Sequence, residues 1–160
     1  MTNHVLLAVA LTLPAATCAK GQSITTPAQV AASIAQKGAG PFFASLDGQA
    51  SEKLFNKIES GNADWVALAP RLAPGADGAN AEGLAIALAY ALPRNPSAVL
   101  NVIDPIEGDA HILAISRVCG VPFIEEIPKG YKARTLKAVA SAKGVDTNIQ
   151  SRCLEALSKS

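Results

Sequence analysis

The chain has 160 residues, a formal net charge of +1, 17% charged residues and 4% aromatics. Near-neutral charge without an Arg-rich run interleaved with aromatics argues against a nucleic-acid binder. A core of Ala, Leu, Ile and Val suits close-packed helices better than a β-sandwich, where Tyr, Trp, Thr and Val should be plentiful.

Residues Val5 to Leu13 are a nine-residue apolar or near-apolar run, followed by Pro14 and the small-residue stretch Ala15-Ala16-Thr17-Cys18-Ala19. This is the layout of a signal peptide, with cleavage after Ala19. Nine helical residues span only about 14 Å, too little for a permanent membrane anchor. Met1-Thr2-Asn3-His4 lacks the usual Lys or Arg. Lipidation at Cys18 is the rival reading, disfavoured because Ala15 and Thr17 stand where lipoprotein signals carry other residues. The expectation is a leader over 1–19 and one domain over 20–160, periplasmic or secreted, with no transmembrane segment in the mature chain. About 140 residues are enough to bury one core.

Removal of Cys18 with the leader leaves Cys119 and Cys153, and an oxidising compartment would pair them. A loop of about 35 residues closed this way is worth roughly 3–4 kcal/mol. A catalytic thiol would need a histidine, and His111 is the one available after Lys20.

Thr26-Pro27-Ala28-Gln29 opens a helix, with Thr26 as cap, Pro27 in the first position and Gln29 completing a capping box. Gly38 ends it. Gly38 to Pro41 reads as a break before a core cluster of Phe42, Phe43 and Leu46. Ser51 to Glu59 places Leu54, Phe55 and Ile58 on one helical face. A segment from Asn62 carries Trp65, Leu68 and Leu72 inward, with Pro70 bending or shortening its end. A turn over 74–78 precedes the most apolar helix, Gly83 to Leu92, opened by Asn80-Ala81-Glu82. Ser97 is read as the cap of a short helix over 98–103, favoured over a strand. Loop follows from Asp104 to Asp109, then a helix or turn to Cys119. The last pair spans about Tyr131 to Ala142, with Ala133, Leu136, Val139 and Ala140 inward, and a helix opened by a capping box at Thr147 to Gln150, with Ile149, Cys153, Leu154 and Leu157 inward.

The expected fold is therefore all-α: an irregular helical bundle or short superhelix of antiparallel helix pairs, closed by one disulfide. The stretches Trp65 to Asp77, Ala81-Glu82, Ala87 to Pro96, Val118 to Glu125 and the Cys153 region resemble small exported proteobacterial proteins of uncharacterised function, over roughly residues 50–157. The resemblance implies a helical fold, loosely HEAT-like in packing, and no assigned active site.

Charge is unevenly placed. Residues 129–160 hold seven basic and two acidic residues, whereas 20–128 hold seven basic and eleven acidic. Such asymmetry fits either a basic binding face or a merely solvated or packed surface. Glu107, Asp109 and His111 place three metal-ligand types within five residues, with Glu125 and Glu126 as nearby carboxylates. The spacing matches no recognised metal loop, and a loop of this composition is ordinarily just solvated. No phosphate loop, nucleophile elbow or zinc-protease helix occurs, so no metal and no cofactor is assigned. Two function classes remain: a non-enzymatic interaction module whose partner is another envelope protein, and a small secreted hydrolase using carboxylates or His111.

Overall fold

The computed structural model describes residues 24–123 and 126–160. The leader, its cleavage site, Cys18 and Glu125 lie outside the described residues. The elements are α1 (Pro27–Lys37), α2 (Ala39–Ala44), α3 (Gly48–Glu59), α4 (Ala63–Val66), α5 (Ala69–Leu72), a 3₁₀ turn (Ala73–Gly75), α6 (Gly78–Ala91), α7 (Pro96–Leu100), α8 (Ile115–Cys119), α9 (Tyr131–Ala140) and α10 (Thr147–Lys159). The protein is all-α, and Cys119 in α8 is bonded to Cys153 in α10, both fully buried.

α6 runs through the centre. Leu84, Ala85, Ala87, Leu88, Ala89 and Ala91 are all buried, and its small residues let neighbours approach closely. α3 packs along it, α8 covers another side, and α10 lies against both α8 and α9. No described helix is long and apolar enough to cross a membrane.

Five of the described helices start with a side-chain cap, and several starts lie earlier than the hydrophobic pattern implies. Thr26 caps α1, its side-chain oxygen accepting from Gln29 N at 3.2 Å. Gly38 alone, at φ +86°, separates α1 from α2. The expected break is thus one residue, and Phe42 and Phe43 are buried on a helix. Asp47 caps α3 through Ala50 N, so the helix starts at Gly48, three residues before the expected Ser51. Asn62 caps α4, and Trp65, Leu68 and Leu72 are buried as expected. Pro70 opens the separate turn α5 instead of closing a longer helix, because its missing N–H costs nothing in a first turn.

Four expectations are corrected. α6 begins at Gly78 behind Asp77, not at Asn80-Ala81-Glu82. Asn95, not Ser97, caps α7, with Pro96 in the first position; Ser97 Oγ donates to Lys143 O at 2.9 Å instead. Asp146, not Thr147, caps α10, its Oδ1 accepting from Asn148 N and Ile149 N. Gln150 accordingly turns away from its own helix and donates to Val139 O at 2.7 Å, closing the end of α9. Finally, α9 buries Tyr131, Thr135 and Val139, whereas Ala133 and Ala140 are exposed. Thr135 can face inward because its hydroxyl donates to Tyr131 O at 2.8 Å, leaving no polar group unpaired.

Candidate functional site

Between α7 and α8 the chain makes its longest described departure from helix, and the carboxylates and histidine of 104–111 sit on it. The segment doubles back so that Asp104 N donates to Leu113 O at 2.9 Å, forming a single parallel bridge between Asp104 and Ala114. This closure brings His111 Nδ1 to 2.8 Å from Asp104 Oδ2. Asp104 Oδ1 accepts from Ile106 N at 2.8 Å. That backbone hydrogen bond, then the one from His111, holds the Asp104 carboxyl below its ordinary value.

Glu107 points another way. Its Oε2 accepts from Ser116 Oγ at 2.6 Å and Ser116 N at 3.3 Å, at the start of α8. Its Oε1 accepts from Arg152 Nη2 at 2.8 Å, while Arg152 Nη1 donates to Pro105 O at 2.7 Å. Asp109 is exposed, and its backbone carbonyl accepts from Arg117 Nη2 at 3.0 Å. Glu107, Asp109 and His111 therefore do not converge, and no group of three metal-ligating side chains occurs among the described residues. Glu126 is exposed.

Sequence reasoning missed Asp104, the residue that orients His111. A signal existed: an Asp two residues before a backbone N–H and followed by Pro105 is an Asx-turn former. The pairing with His111 depends on the loop doubling back, which no short motif encodes.

Two hollows stand out among the described residues. A cleft of about 360 Å³ lies between Pro70, Ala73 and Pro74 on one side and Val102, Asp104 and His111 on the other. A wider groove of about 910 Å³ runs along α3, lined by Asp47, Glu52, Lys53, Lys57 and Trp65. Several basic residues of 129–160 are engaged by carbonyl or carboxylate oxygens. Lys132 Nζ donates to Ser158 O and Ser160 O, Arg134 to Lys129 O, and Arg152 to Pro105 and Glu107.

After Cys119 the chain turns through Val121, whose φ of +58° is costly for a β-branched residue. The turn delivers Phe123 between Tyr90 and Tyr131, with ring centroids 4.6 and 4.8 Å away. Large exposed hydrophobics occur on either side of this stretch: Ile106 is 58% exposed and Ile127 52%.

No family model, no curated protein and no solved structure matches the chain.

Proposed function

We propose that this chain is an exported module, periplasmic or secreted and akin to small proteobacterial helical proteins of that kind, which binds another envelope protein through the loop that presents Ile106. One observation carries the reading: Ile106 faces solvent while its neighbours on both sides are held by Arg152, through Pro105 O and Glu107. A lone exposed isoleucine on a mobile loop needs no explanation. One presented on a tethered loop has already lost the conformational freedom that binding would otherwise remove. The buried Cys119–Cys153 bond supports an oxidising compartment.

A second reading, a small hydrolase using His111, draws on the Asp104–His111 contact, in which a carboxylate orients an imidazole as a general base requires.

The test places a photocrosslinking residue at position 106 of the chain produced in its source cell, with position 53 on α3 as control. A discrete adduct from position 106 and none from position 53 is expected. No adduct, or the same adducts from both, overturns the binding reading. Intact mass before and after reduction reads the compartment: loss of a leader near Ala19, with Cys119 and Cys153 unreactive until reduced, is expected. An uncleaved chain with free thiols overturns export.

A further inference from the structure

The cleft beside His111 combines aliphatic walls with one polar pair. Its lining includes Pro70, Pro74, Val102 and Leu113, and among the described residues its polar side chains are Asp104 and His111, each about one-third exposed. Asp104 is fixed by its backbone hydrogen bond to Leu113 O and by Ile106 N on Oδ1, which leaves Oδ2 for His111. An ionised carboxylate only accepts, so Nδ1 of His111 carries a proton. In the neutral ring Nε2 is then an acceptor, and it has no hydrogen-bond partner among the described residues.

This arrangement selects a ligand by chemistry. An anion placed at Nε2 meets an acceptor backed by the Asp104 carboxylate. A cation seeking that carboxylate must share it with Ile106 N and His111 Nδ1 and give up its water against aliphatic walls. An uncharged hydroxyl donates to Nε2 without either conflict, and a small apolar body satisfies the walls. At about 360 Å³ the cleft is at the lower end of the range for small-molecule sites.

We propose that this cleft binds a small uncharged hydroxyl compound, a phenol or short alcohol, whose hydroxyl donates to Nε2 of His111 while its apolar body lies against Pro70, Pro74, Val102 and Leu113. The site goes beyond the partner-binding reading and does not rest on it.

The test titrates the oxidised full chain with p-cresol and with toluene, which has the same ring and no phenolic hydroxyl. Binding is followed by NMR at the His111 ring nitrogens and the Val102 and Leu113 amides. The expected result is binding of p-cresol about tenfold tighter than toluene, the value of one hydrogen bond, with a shift at Nε2. Ala110→Trp, at an exposed position on the cleft lining, should abolish binding of both. His111→Phe should reduce p-cresol to the level of toluene. An unchanged amide spectrum elsewhere shows that each variant is folded. Equal affinity for the two probes, p-cresol binding that stays tighter than toluene in His111→Phe, or no shift at these residues overturns the proposal.

Discussion

Arg152 in α10 clasps Glu107 from 45 residues away, its Nη2 donating to Oε1 at 2.8 Å while its Nη1 holds Pro105 O at 2.7 Å. The other carboxylate oxygen reaches Ser116, so one side chain links the loop to α8 and α10 together. Both partners of the ion pair are more than one-third exposed, which limits its worth to about 1 kcal/mol. Arg152→Ala should lower stability by about that amount. The larger effect should be local: NMR order parameters at Pro105 to Glu107 should drop and the Ser116 amide should exchange faster, with α3 and α6 unchanged.

The disulfide joins positions 34 apart in sequence, and α8 meets α10 around it. Closing a loop of this length should stabilise the fold by roughly 3–4 kcal/mol. Reduction, or replacing both cysteines with Ala, should lower the urea midpoint accordingly. A change below about 1 kcal/mol would show that the helix packing holds the ends together without it.

Gly75, at the end of the 3₁₀ turn, lies against the start of α2. A Cβ there would press into Gly40 N and Ala39 C and stand 2.6 Å from Ala39 Cβ. Backbone cannot move aside as a flexible side chain does. Gly75→Ala should therefore cost about 1–3 kcal/mol, whereas Gly48→Ala, with open space around it, should not destabilise the protein. Thermal melts of the two variants compare them directly.

Tyr131 donates its hydroxyl to Ala89 O at 2.9 Å in the core. Burial pushes its pKa up to about 12. The folded protein thus keeps the phenol protonated where the unfolded chain has lost it. The contribution is fully present below about pH 10, and is lost as pH rises towards 12, by about 2–3 kcal/mol in all. Denaturant melts across this window should show that loss, and Tyr131→Phe should flatten it.

Asp104 gives the opposite sign. Its carboxyl is held below the ordinary value by Ile106 N and then by His111. Its stabilising contribution is present above about pH 4 and is lost as pH falls through the folded value. The stability gap between the native chain and Asp104→Asn should narrow on acidification below that point. A gap that stays constant would mean that the carboxylate charge contributes nothing.

Several helices and some of their limits were legible because they rest on interactions within one turn. Thr26 and Asn62 cap the N–H groups just beyond them, and Pro27 sits where a missing donor is harmless. Where two capping residues stood close together, pattern alone chose wrongly. Asp146 and Asn95 took the role from Thr147 and Ser97, and the displaced Ser97 found a partner in Lys143. The inward face of α9 was misread because small alanines look buried, whereas Tyr131 and Thr135 enter the core by satisfying their hydroxyls there.

Sequence by itself determined that the protein is helical, where some of its helices begin and end, and which two cysteines were available to pair, because each of these depends on residue chemistry and near neighbours. Only the tertiary structure decided that Asp104 orients His111, that Glu107 turns to Arg152 and Ser116 instead of joining a ligand cluster, and that Ile106 is held facing outward. Those outcomes follow from a loop closing on itself and on α10, and the direction in which a side chain leaves such a loop is set by contacts between distant parts of the chain.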